Sequence, residues 1–174
     1  MKSKRIETKR MTLLALCVSV ALILSYIEFL LPPILTIAPG IKLGLPNIVI
    51  IWVLYRLGSR DAIVVSIARL AISTLLFGNI TMLWYSLAGA ALSLSVMLLL
   101  KKLDFLSTVG VSVAGAIMHN IGQIIVAMAL MQTSEIGYYM IVLAITGTVS
   151  GIFVGLCGAM LINKTQKLKL LKNI

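Results

Sequence analysis

From Met11 to Leu31 the chain reads MTLLALCVSVALILSYIEFLL, with Glu28 as its single charged residue, and comparable runs recur as far as Ile162. Such runs leave little from which to build a soluble surface. A helix that crosses the roughly 30 Å hydrocarbon core needs about 20 mostly apolar residues, and in hydrocarbon each backbone amide must bond within its own segment. Reading for such runs gives six transmembrane helices, at about 11 to 31, 43 to 57, 61 to 77, 80 to 100, 105 to 132 and 136 to 162. The expected fold is an all-α membrane protein, a single integral membrane domain over residues 1 to 174. Composition agrees: 60% of residues are hydrophobic, 11% are charged, and mean hydropathy is +1.11. The basic start followed by an apolar run has the order of a signal peptide, but the run is too long for one and no small-residue cleavage pattern closes it. It is expected to be kept as the first span. Cys17 and Cys157 lie inside apolar runs without metal-ligand spacing and read as small packing residues.

The net charge of +10 would point to nucleic acid in a soluble domain. Here its placement says otherwise. With the N-terminus inside, the inner segments collect Lys2, Lys4, Arg5, Lys9 and Arg10, then Arg56, Arg60, Lys101 and Lys102, then Lys164, Lys167, Lys169 and Lys172. That is thirteen of the fifteen basic residues. Lys42 alone falls in an outer connection, so the positive-inside rule puts both termini in the cytoplasm and nucleic acid is not an expected partner. The expected location is the bacterial cytoplasmic membrane, with lipid around a multi-pass bundle.

Between the first two spans, LLPPILTIAPGIKLGLPN carries Pro32, Pro33, Pro39 and Pro46 with Gly40 and Gly44, which forbids a regular helix. Irregular backbone at membrane depth is tolerated where protein buries it or where it lines a watery cavity. The segment therefore reads as a lid or cavity wall. In the sixth span Gly147, Gly151 and Gly155 recur every four residues, a flat stripe that permits close approach of another helix, within one chain or between two. The first span holds weaker small-residue pairs, Ala15 with Ser19 and Cys17 with Ala21.

Strong polar groups within the spans are few. Arg69 lies eight residues beyond Asp61, about 12 Å along a helix, and an arginine at bilayer depth must face a partner or water. Its fork of donors suits a carboxylate or phosphate. In GAIMHNIGQIIVAMAL, His119 and Gln123 are one turn apart on one face, while Asn120 lies about 100° around. Such groups serve either ligand recognition or bonding between helices. With Arg69 at similar depth and a Pro/Gly-rich outer segment, they point to a ligand cavity whose contacts are Arg69, His119, Asn120 and Gln123, with Asn47 and Lys42 at its entrance. Glu28 is placed to neutralise Lys42 or Arg69 when the site is empty. Trp84 and Tyr85 are candidates for the cavity wall or for interfacial anchors.

The sequence offers no catalytic set. There is no P-loop, no paired carboxylates placed to hold Mg²⁺, one histidine only, and no acidic residue in that histidine's span. No catalytic residue, metal site or cofactor is expected.

Three stretches, PGIKLGLPNIVIIWVLYRLG (39 to 58), ARLAISTLLFGNITMLWYSLAGAALSLSVMLLLKKL (68 to 103) and GVSVAGAIMHNIGQIIVAMAL (110 to 130), together resemble the small bacterial membrane proteins called Gx transporters, also labelled heptaprenyl diphosphate synthase component I. That family is similar in turn to the substrate-binding S components of energy-coupling factor transporters. The resemblance implies a six-helix S-component-like bundle with a pocket toward the outer face for a small molecule such as a vitamin or an isoprenoid or quinone precursor. It also implies an energising transmembrane subunit and ATPase subunits as partners. S components dock through an Ala-x-x-x-Ala pattern in the first helix, for which Ala15 with Ser19 is the imperfect counterpart here. The synthase label implies a different role, as non-catalytic membrane partner of a polyprenyl diphosphate synthase. A subunit of a membrane redox or quinone system is a further alternative.

Overall fold

The structure, a computed structural model, describes residues 2–31, 44–132 and 135–166. It contains six α-helices: α1 (Lys2–Leu30), α2 (Asn47–Arg56), α3 (Ser59–Phe77), α4 (Ile80–Leu103), α5 (Thr108–Met131) and α6 (Tyr139–Thr165). A short 3₁₀ turn, Glu135–Tyr138, leads into α6, and there is no strand among the described residues. Four helices are long and apolar enough to cross a membrane, within α1, α4, α5 and α6. The outward faces of these helices agree, with Met11 at 71%, Ile80 at 75% and Ile141 at 71% exposure.

Two elements are not among these four: α2 is shorter than its apolar run, and α3 is long enough but carries too much charge. α2 is only ten residues, about 15 Å at 1.5 Å per residue. Its start is fixed by Pro46, whose φ of −62° suits a helix entry, and its end by Gly58, whose φ of +121° is open to glycine alone. α3 has the length to cross but carries Arg60, Asp61 and Arg69. Helix ends elsewhere follow local chemistry. The Asn79 side chain accepts from the Met82 amide at 2.8 Å to start α4, and the Ser107 hydroxyl accepts from Gly110 at 3.2 Å to start α5.

The core gathers where α2 and α3 meet α1, with Ile51, Val53, Leu54, Ala62 and Val65 almost fully enclosed and Cys17 and Ala21 turned onto them. α6 closes on α5 through its glycine stripe. A Cβ at Gly151 would sit 2.7 Å from the Val113 Cα, and one at Gly155 would sit 2.8 Å from the Val109 Cα.

One end of the bundle is basic. There Arg10 grips Asp61 with two bonds, Nη2 to Oδ1 at 2.7 Å and Nε to Oδ2 at 3.2 Å. The Lys101 ammonium donates to the Leu54 carbonyl and stands 5.3 Å over the Tyr55 ring. Arg56 Nη2 and the Trp52 indole donate to the carbonyl and hydroxyl of Thr165, at 3.1 and 2.9 Å, and so tie α2 to the end of α6.

Candidate functional site

At the opposite end, spacing within each helix sets polar groups in pairs. Ser25 and Glu28 lie three residues apart on α1; Arg69 and Ser73 lie four apart on α3; His119 and Gln123 lie four apart on α5. Residues three or four apart share a helix face. All six line one hollow, together with Ser86 of α4 and Asn47 at the head of α2. Its free space is about 60 Å³, room for several waters, since about 10–15 Å³ of such space holds one.

Arg69 is the anchor of this hollow. Its residue is only 8% exposed. Nη1 donates to the Ser25 hydroxyl at 3.3 Å, and that hydroxyl donates in turn to the Ala21 carbonyl at 2.8 Å. Nε is buried and has no hydrogen-bond partner among the described residues. An unmet charged donor at this depth is expensive; among the described residues Arg56 Nε, at the basic end, is the other one.

Around it the wall is built for position. The Glu28 carboxylate accepts from the Gly44 amide, which pins the entry of α2 to the C-terminal end of α1. Gly44 takes a φ of +73°, a left-handed conformation that glycine adopts freely, and its carbonyl accepts from the Asn47 amide at 2.9 Å. His119 sits over Gly89 of α4: a Cβ there would fall 2.9 Å from ring atoms Cε1 and Nδ1. The absence of a side chain at Gly89 is what admits the imidazole.

Asn120, next to His119 in sequence, turns toward α6 instead. Its Nδ2 donates to the Leu143 carbonyl at 2.7 Å, and the residue is buried. It borders a second, smaller hollow rather than the one at Arg69. Asn120→Ala is expected to lower thermal stability by about 1 kcal/mol, the scale of a hydrogen bond between helices in lipid, measured by thermal unfolding in detergent. Arg69 chemistry should be unaffected.

Lys42 lies outside the described residues. Trp84 is 55% exposed, and neither it nor Tyr85 lines either hollow. Ala15 and Ser19 are exposed on α1, with the Ser19 hydroxyl donating to the Ala15 carbonyl at 3.0 Å. Among the described residues no group of three or more His, Cys, Asp or Glu side chains is placed to hold a metal. Sequence reading did not single out Ser25, Ser73 or Ser86 as cavity residues. The signal for Ser25 and Ser73 was their helical spacing to Glu28 and Arg69; Ser86, on α4, had none.

No curated protein and no solved structure matches the chain. The family described as heptaprenyl diphosphate synthase component I matches residues 17–161, from the first helix into the sixth, and the chain belongs to that family.

Proposed function

We propose that the protein is a substrate-binding membrane subunit, similar in role to the S component of an energy-coupling factor uptake transporter. In this reading one integral domain crosses the membrane six times, with both termini and the basic end in the cytoplasm. The Arg69 hollow then lies toward the outer side. The observation that carries it is Arg69 itself: enclosed, with Nε unmet among the described residues, in a hollow shared with Glu28, Asn47, His119 and Gln123. A guanidinium so held is matched to an anionic or strongly polar group of a small molecule. The chain itself carries out no chemistry; energy comes from a separate membrane subunit and its ATPases, for which the exposed Ala15 and Ser19 face of α1 is the docking candidate.

The family description favours a second reading, a membrane partner of a polyprenyl diphosphate synthase. Affinity purification of the tagged chain from its own membranes separates the two. Recovery of an energising membrane subunit with ATPases, reduced by Ala15→Leu or Ser19→Leu, supports the uptake reading. Recovery of a soluble prenyl synthase subunit that makes long-chain product only with this chain present overturns it.

A further inference from the structure

Beside the Arg69 hollow lies the smaller one, with free space of about 20 Å³, room for about one water. The two share Gly44, Asn47 and His119 as wall, so they meet at an amide and an imidazole. Past that junction the chemistry changes. The larger hollow holds both charges, Arg69 and Glu28, whereas the smaller is walled by the hydroxyl residues Ser93 of α4, Ser112 of α5 and Ser150 of α6, with Asn120 beside them.

Packing in lipid does not require this arrangement. A serine or threonine in a span can satisfy itself on its own helix, as Ser95 does on the Ala91 carbonyl at 2.7 Å and Thr148 on Ala144 at 2.8 Å. Ser150 likewise donates to the Gly147 carbonyl at 3.2 Å and leaves the hollow its acceptor oxygen. Ser93 and Ser112 instead are buried against the hollow, and among the described residues the Ser93 hydroxyl reaches only the Met97 sulfur at 3.6 Å, a weak acceptor. Along α5 the combined lining runs from Gln123 through His119 and Ala116 to Ser112, about 16 Å for eleven residues at 1.5 Å each.

We infer that the two hollows are one two-ended site, an inference that rests on the ligand-binding reading above. It takes an elongated molecule with a single anionic group at Arg69 and an uncharged hydrogen-bonding group, such as a hydroxyl or amide, among the three serines. The small hollow's one-water size matches such a terminal group. An isoprenoid diphosphate is the wrong shape of chemistry: its hydrocarbon tail would strip water from hydroxyls and amides without replacing the bonds, and its second charge would face Glu28.

The test uses the full chain in lipid nanodiscs and calorimetric titration with straight-chain ω-hydroxy carboxylates of increasing length, each paired with the plain carboxylate of equal length, and with geranyl diphosphate. At the length that spans the site, the hydroxy acid should bind about five- to tenfold more tightly than its plain partner, the size of one well-made hydrogen bond. The difference should vanish in Ser93→Ala/Ser112→Ala, and in Ser150→Ala as a milder second variant, with plain-acid affinity kept. Arg69→Gln should weaken both acids. Arg69-dependent binding with no hydroxyl preference at any length, or geranyl diphosphate binding more tightly than every hydroxy acid, overturns the two-ended site alone. If no probe binds in an Arg69-dependent way, the two-ended site and the ligand-binding reading fall together.

Discussion

Gly151→Leu is expected to abolish recovery of folded, monodisperse protein, because the contact it destroys joins α6 to α5, the helix that carries His119 and Gln123. A Cβ alone at Gly151 would meet the Val113 Cα at 2.7 Å, the Val113 nitrogen at 3.2 Å and the Ala116 Cβ at 3.1 Å. The nearest of these is backbone, so no rotamer change relieves the clash, and α6 must move off α5. Helix association in lipid depends on such close packing, since burial from water contributes nothing there. Overpacking by even one methyl costs about 1–3 kcal/mol, so Gly151→Ala should lower the melting temperature and the leucine should remove the folded peak from size-exclusion chromatography. Gly137→Ala is the control: its nearest neighbour is the Met128 sulfur at 3.7 Å, and it should change stability by less than about 0.5 kcal/mol.

Arg69→Met combined with Glu28→Gln should separate stability from binding. Among the described residues the guanidinium has one hydrogen bond, to Ser25 at 3.3 Å, and a buried Nε that is unmet. Glu28 shares the hollow, so removing the guanidinium alone would strand a half-buried carboxylate, whereas replacing both members of a buried charge pair is neutral or stabilising, by about 1–4 kcal/mol in known cases. The melting temperature of the double variant should therefore hold or rise, while small-molecule binding is lost. Were Arg69 only a tie between helices, the same variant would lower the melting temperature and leave binding intact. The double variant thus decides between a ligand group and an interhelical bond.

How much of this was legible in the sequence depended on whether a residue's position carries an energetic cost. Arg69, His119, Gln123 and Asn47 stood out because strong polar groups are costly in an apolar run, and the structure places all four on one hollow. Ser25, Ser73 and Ser86 gave no such signal, because a serine can bond its own helix and sit in lipid at little cost. Asn120 illustrates a limit of rotation: the 100° step from His119 is enough to send it to Leu143 on α6. Gly147, Gly151 and Gly155 were visible as a repeat, whereas Gly89, which clears space for the imidazole, stands alone in a run of small residues and has meaning only once α4 faces α5. The length of α2 was misjudged from apolarity. The helix starts only after Pro46, which cut off the beginning of a run read from about 43, and it stops at Arg56, just before the turn at Gly58.

The central claim is that Arg69 and its neighbours hold a small molecule. Native mass spectrometry of the protein released from its own membranes under mild activation tests this most directly. The account predicts a one-to-one small-molecule adduct on the wild-type chain that disappears in Arg69→Met and persists in Gly137→Ala, a site outside both hollows. A wild-type chain that carries only lipid, or an adduct that survives loss of the guanidinium, would contradict it.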